Sequence, residues 1–188
     1  QAVLNGEWVM DGRRRIVGLG AGGHAAVLIE TFRAAGAFDV VGLLSLDKSD
    51  VLGVPVLGSD DILPSLKQHQ IDGVFLGVGM MKNASVRRRL VAVAEDAKFE
   101  VVGVIHPSAL VSPSVIMGQG VQILAGAIVQ SRARLGNHVL INSGAIIEHD
   151  AWIDDFAHVA TGAHLAGGVR IGSGAFVGAG AVVIQSIT

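Results

Sequence analysis

The chain has 188 residues, of which 51% are hydrophobic and only 4% aromatic, with 26 glycines, no cysteine and a formal net charge of −2. That length allows one large domain or two small ones. The charge balance and the lack of a basic stripe exclude a nucleic-acid role, the missing cysteine excludes disulfides and thiol chemistry, and no apolar run reaches the roughly 18 residues of a membrane span.

Residue 1 is Gln, so it is no native initiator, and residues 1–13 read as an extension without function. With no secretion signal in view, a cytoplasmic location is expected. The cluster Arg13, Arg14, Arg15 is expected to be a solvated flank.

From residue 14 to 105 strands and helices alternate. RIVGLG (15–20) is a strand ending in glycine, and 24–35 has helical spacing with Val27, Leu28, Thr31 and Phe32 on one face. Strands follow at 39–44 and 72–79, then a helix over 83–97 and a strand over 100–105. This alternation predicts a parallel α/β sheet, about half the size of a full dinucleotide fold. NASVRRR (83–89) reads as a helix cap with a solvated face. GLGAGGH (18–24) joins the first strand to the first helix with the spacing Gly18-x-Gly20-x-x-Gly23. Free N–H groups at a helix start bind phosphate. A dinucleotide would also want an acidic residue at the end of the second strand, and Asp47 comes late for that. A purely structural tight turn is the other reading.

After residue 105 the period changes. Every sixth residue from Val111 to Val183 is large and aliphatic, and two places earlier every residue from Ala109 to Ala181 is Ala or Val. Helices repeat at 3.6 and strands at 2, so neither explains a period of six. A fixed hexad is the signature of a β-solenoid, with three hexads closing one triangular coil over residues 106–188. The aliphatic column lines the interior, and the small column fits where it narrows at a corner. Gly118, Gly120, Gly136, Gly172, Gly174, Gly178 and Gly180 are expected at corners with unusual dihedrals.

GAIIEHDAWIDDFAHVATGAH (144–164) sets three histidines and four acidic residues among these aliphatics. His158 and His164 each precede an inward residue and therefore point out. Eighteen residues make a coil, so Gly167 lies directly above His149 and Ser131 directly below, leaving an open notch beside an imidazole that is followed by Asp150. His149 and His158 are half a coil apart, on different walls of one chain. They share a site most readily if a second copy brings one to the other, which predicts a homotrimer with sites at the subunit clefts. His138 and His164 read as solvated surface residues. The intervals 11, 9 and 6 between His138, His149, His158 and His164 lack the close His-x-x-x-x-His pair of β-helix zinc enzymes, so no metal is expected.

The hexads, together with IIEHDAWIDDFAHVATGAHLAGGVRIG (146–172), GAGGHA (20–25) and IHPSALVSPSVIMGQG (105–120), resemble the bacterial sugar acetyltransferases of the left-handed β-helix, hexapeptide-repeat type. The resemblance runs from residue 15 through nearly the whole chain. It implies a half-Rossmann-like nucleotide-sugar domain followed by a left-handed parallel β-helix, the hand coming from the family because such crossovers are ordinarily right-handed. It implies acetyl-CoA as co-substrate and, as acceptor, a nucleotide-linked amino sugar of the UDP-4-amino-4,6-dideoxy or GDP-perosamine type. By the same resemblance His149 matches the general base and Asp150 its acidic partner. His158 matches a contact to the thioester region, Gly167 a backbone contact to the cofactor, and Ala179 another. Gly22, Gly23 and His24 match the nucleotide-sugar loop. Ser45, Leu46 and Asp47 stand where the family often has acidic residues, and Gly79 matches another nucleotide contact. Relatives usually run on for another coil or so past the position of Thr188, and those residues often cover the CoA arm. Sialic acid O-acetylation is the alternative within the class, and a non-catalytic nucleotide-binding solenoid is the alternative outside it.

Overall fold

The computed structural model describes residues 13–47, 49–80 and 83–185, together with the backbone of two short strands near the start. Those strands, β1 (Val3–Leu4) and β2 (Glu7–Trp8), pair antiparallel. The reading of 1–13 as an extension otherwise lies outside the described residues.

Five parallel strands form the first sheet: β3 (Arg14–Leu19), β4 (Phe38–Leu44), β5 (Val56–Gly58), β6 (Gly73–Leu76) and β7 (Glu100–Val101), in the order β5-β4-β3-β6-β7. Helix α1 (Gly23–Ala35) follows β3, α2 (Ser85–Asp96) precedes β7, and a 3-10 helix spans Asp60–His69. Strand β5 and the 3-10 helix escape the sequence reading because three residues and a Pro64-interrupted turn carry no readable period. On α1, Leu28, Thr31 and Phe32 are buried as expected, but Val27 is exposed and its place is taken by Ala25 and Ile29. The arginines ahead of β3 are more than a solvated flank: Arg14 pairs with Glu100 at 2.6 Å and Arg15 donates to the His69 carbonyl at 2.7 Å.

The strand expected over 100–105 is divided. Glu100–Val101 completes the α/β sheet, whereas Val104–Ile105 pairs with Gln122–Ile123 of the solenoid, whose first strand therefore precedes residue 106. From there two-residue strands stack into three walls, each strand pairing in parallel with the one eighteen residues on. The domain wall carries Val104, Gln122, Leu140, His158 and Phe176 on its outer face, the aliphatic wall Leu110, Ile128, Ile146, His164 and Val182, and the aromatic wall Ile116, Arg134, Trp152 and Arg170.

The two hexad columns fill the interior. Ile123 through Val177 and Val121 through Val169 are buried, and only the end coils leave Val111, Met117 and Val183 partly open. The α/β domain sits on the domain wall, where Leu124, Leu140 and Val104 join Ile16, Leu28, Phe32 and Phe75 in one apolar cluster.

The corner dihedrals correct the glycine reading. Positive φ recurs every six residues from Gly120 to Gly180. Gly118, Gly136, Gly172 and Gly178 are not in that column. Gly118 and Gly136 are there for room: a Cβ would come within 2.5 Å of Asn137 and 2.4 Å of Asp155 respectively. Four residues of the column are not glycine, namely Arg132, His138, Asp150 and Phe156, with φ of 57 to 60°. L-residues pay to be there, and the four form two stacked pairs one coil apart.

Candidate active site

His149 lies in the turn between the aliphatic and aromatic walls, the corner opposite the domain wall. Its ring is exposed, and Nδ1 is 2.8 Å from Asp150 Oδ2. A carboxylate only accepts, so this bond puts the ring hydrogen on Nδ1 and leaves Nε2 as a bare acceptor. Gly167 stands one coil above, its amide neighbour Gly168 donating to the His149 carbonyl at 3.0 Å. A Cβ on Gly167 would fall 2.9 Å from Nε2. The space beside Gly167, expected from the sequence as an open notch, is therefore taken by the His149 ring itself.

Sequence reasoning missed Arg132. Its guanidinium grips Asp150 with two bonds of 2.7 Å from the coil below. That bond first, and His149 second, hold the Asp150 carboxyl well below the usual carboxylate range. Asp150 is therefore an anion at neutral pH. The signal was available, since 150 and 132 differ by the same eighteen residues that placed Ser131 under His149.

The other expected residues lie elsewhere. His158 points out from the domain wall, as anticipated, but the α/β domain covers it: Nδ1 donates to the Met80 carbonyl at 3.0 Å, and Nε2 is 3.2 Å from Asn142. Ala179 is exposed at the corner between the domain and aliphatic walls, away from the corner of His149 and Gly167. Within one chain the structure brings Gly167 to His149 and keeps His158 and Ala179 apart from them. His138, expected at the surface, is buried, packed 4.9 Å from Phe156.

A crevice of about 790 Å³ opens at the carboxyl ends of the parallel strands, lined by Gly20, Ser45, Leu46, Asp60, Asp61 and Arg89 among others. This is where ligands bind in open α/β sheets. Gly22 and Gly23 have open space beside them. Ser45 Oγ accepts from the Asp47 amide at 3.2 Å, so Asp47 serves the turn that shapes the rim. Asp60 and Asp61, absent from the sequence reading, enter because the 3-10 helix starts there. Gly79 faces the His24 ring, with 3.7 Å to an added Cβ.

Where the glycine loop meets the domain wall the interface is polar. His24 Nε2 lies 3.1 Å from Gln122 Oε1, and Gln122 Nε2 donates to the Leu76 carbonyl at 3.1 Å. Arg87, expected on a solvated helix face, is 1% exposed and donates to the carbonyls of Val78 at 2.7 Å and His138 at 3.1 Å. Burial lowers its pKa to about 10, so it remains a cation. Burial first, with Arg87 adding repulsion, pushes His24, His138 and His158 down to about 4. All three are neutral at pH 7.

Comparison with known proteins places this geometry. Residues 15–94 match the PglD N-terminal domain family. A histidine-to-asparagine mutant of perosamine N-acetyltransferase from Caulobacter crescentus, solved with CoA and GDP-perosamine, is 35% identical over 92% of this chain and 89% of that one, with a TM-score of 0.80. The acetyltransferase domain of PglB from Neisseria gonorrhoeae FA1090, solved with acetyl coenzyme A, is 37% identical over 91% and 82%, with a TM-score of 0.83.

The chain belongs to the bacterial nucleotide-sugar N-acetyltransferases of the hexapeptide-repeat type.

It is an acyltransferase of that family, an α/β domain followed by a left-handed β-helix. WeeI from Acinetobacter baumannii AYE, 19% identical over 90% of this chain and 94% of that one with a TM-score of 0.57, shares the fold. No curated protein sequence matches the chain. Among the described residues no helix of this acetyltransferase is long and apolar enough to cross a membrane, and no group of three His, Cys, Asp or Glu side chains is arranged to hold a metal ion.

Proposed function

We propose that this protein transfers acetyl from acetyl-CoA directly to the amine of a nucleotide-linked 4-amino sugar, with His149 as general base. The observation that carries the reading is the His149 corner: an exposed ring seated against Gly167, with Nδ1–H held by an anionic Asp150 and Nε2 left as the acceptor.

The chemistry balances on these groups. The amine nitrogen attacks the thioester carbonyl, and its proton passes to Nε2 as the C–N bond forms. Asp150 stabilises the imidazolium so produced. When the C–S bond breaks, the departing sulfur takes the proton back, giving the amide and free CoA thiol. Imidazole suits both transfers near neutral pH. Main-chain N–H groups at this corner can meet the developing oxyanion. No acyl-enzyme is required.

The reading also includes a homotrimer with the site in the cleft between copies. Two features support it. His149 sits on the corner opposite the α/β domain, so a sugar held by that domain reaches a His149 most readily on another copy. The adjoining aliphatic wall leaves Leu110 and Val182 more than half exposed, beside Ile128 and Ile146. An apolar face of this kind is what an isologous or cyclic interface covers. Its groove of about 540 Å³ runs from Ile146 and Glu148 to Ile184, beside the His149 turn.

The nucleotide crevice carries the acceptor. Main-chain N–H groups of Gly23 and His24 at the start of α1 suit the diphosphate, and Ser45, Leu46 and Asp47 line the way to the base. The GDP-perosamine bound by the C. crescentus enzyme makes a GDP-linked amino sugar the first acceptor to try. Thiol release from acetyl-CoA, measured with GDP-, UDP- and CMP-linked sugars, tests the assignment. Release only with amino sugars supports it. Release only with a hydroxyl acceptor, or with none, overturns it.

A further inference from the structure

The atoms around Gln122 admit one arrangement of hydrogens. The Leu76 carbonyl only accepts, so the Gln122 atom 3.1 Å from it is the amide nitrogen. The Arg87 guanidinium only donates, and the Gln122 atom 3.5 Å from it is the oxygen. His24 Nε2 lies 3.1 Å from that same oxygen, so Nε2 carries the hydrogen. A neutral imidazole protonated there has an unprotonated nitrogen at Nδ1.

The surroundings keep the ring neutral. The charged and titratable groups that face it are Arg87 and His158, and both oppose a second proton, on top of burial. Among the described residues no negative charge faces it to draw one in. Gly22 and Gly23 beside the loop have open space, and Gly79 lies against the His24 side chain without crowding it.

We infer that Gln122 and Arg87 lock His24 as the Nε2–H tautomer, so that its Nδ1 accepts a hydrogen bond from a donor group on the sugar and not from the diphosphate. Ionised phosphate oxygens have no hydrogen to give, and the main-chain N–H groups of the same turn are the matching partners for them. The backbone of residue 24 thus serves the phosphate while its side chain reads the sugar. Gln122 and Arg87 are positioning residues in this scheme. The identity of the donor rests on the transferase reading above; the tautomer does not.

Two measurements decide it. In uniformly 15N-labelled wild-type protein at pH 7, long-range 1H–15N correlations of the His24 ring should show a protonated Nε2 and an unprotonated Nδ1. A hydrogen on Nδ1, or on both nitrogens, overturns the inference. In kinetics, His24→Gln keeps an amide near the Nε2 position and removes the Nδ1 acceptor. It should raise the nucleotide-sugar KM roughly tenfold, the size of one lost hydrogen bond, with kcat and the acetyl-CoA KM unchanged. His24→Asn returns an acceptor near the Nδ1 position and should recover most of the loss. Binding of plain GDP and UDP should be the same in both variants and wild type. Diphosphate binding that weakens in step with the sugar KM would show that the ring holds the phosphates, and would overturn the inference. A wild-type protein that acetylates no sugar refutes the transferase reading instead, and the NMR spectrum still decides the tautomer.

Discussion

Arg132 and Asp150 occupy the same corner of successive coils, hold each other by two 2.7 Å hydrogen bonds, and both sit at φ near 60° where the neighbouring corners mostly carry glycine. Local strain is thus accepted at the one stack that orients His149. Backbone strain of this kind persists where function requires a side chain. Replacing Arg132 with Gly relieves the strain and removes the fork. The Tm should rise by roughly 2 °C, because an exposed ion pair contributes little to stability. The turnover number should fall roughly tenfold as Asp150 and the imidazole lose their fixed orientation. Thermal melts and steady-state rates on one preparation check both. A lower Tm with an unchanged rate would make the pair purely structural.

Gly167 tests the seat of the His149 ring. A methyl group there meets His149 Nε2 at 2.9 Å and Cε1 at 2.8 Å. Its backbone is outside the positive-φ column, so alanine fits the main chain. Gly167→Ala should fold and melt like wild type yet lose most of its rate, by roughly a hundredfold if the ring is turned or the attacking nitrogen is kept away. A rate within twofold of wild type, by thiol release, would say that the seat of the ring on Gly167 does not govern transfer.

Three histidines at the domain seam, His138 and His158 buried and His24 half-buried, set the acid limit of the fold. Unfolded, each titrates near 6.5; folded, each is pushed down to about 4, chiefly by burial. Between those values the unfolded chain binds more protons, so stability is full above pH 6.5 and declines as pH falls toward 4. Because all three line the seam between the α/β domain and the solenoid, the loss should appear there first. We expect the Tm to drop by roughly 5–10 °C from pH 7.5 to pH 5.5. Hydrogen exchange should speed up in α2 before it does in the solenoid coils. A flat Tm across that range would contradict the burial of these rings.

The aliphatic wall is the expected contact between copies. Ile146→Glu puts a charge in the middle of that face, in a strand otherwise buried only on its inner side. Light scattering should show a shift from three chains to one, with melting of the monomer intact and transfer lost. An unchanged mass would move the interface to another wall.

How far the sequence could be read depended on period. The aliphatic and small columns are forced by the geometry of a narrow prism, so Ile147, Ile153 and Val159 declare their direction, and His149 and Gly167 follow by counting eighteen. The same count reaches Arg132 from Asp150, but a positive-φ corner occupied by Arg has no marker in the sequence. Contacts between the two domains were not legible. Arg87 looks like one of three arginines on a polar helix face, and nothing in its neighbourhood says that Gln122 and the His138 carbonyl will enclose it. His158 was rightly turned out of the prism, yet its covering by the Met80 segment depends on which wall the α/β domain takes. The outward residues of the three walls hold part of that answer. Val104, Gln122 and Leu140 suit burial, whereas Arg134, Trp152 and Arg170 stack in a cation–π ladder suited to solvent, at 5.3 and 4.9 Å.

The most direct test of a site shared between copies is complementation. His149→Ala removes the base. Gly23→Glu, where open space surrounds the glycine, sets a carboxylate where the nucleotide's phosphates would lie. Neither variant alone should transfer acetyl. Co-expressed with different tags and purified as mixed trimers, they should recover roughly a third of wild-type activity, since one site in three then pairs an intact His149 with an intact crevice from another copy. Mixed trimers with no activity would contradict the account.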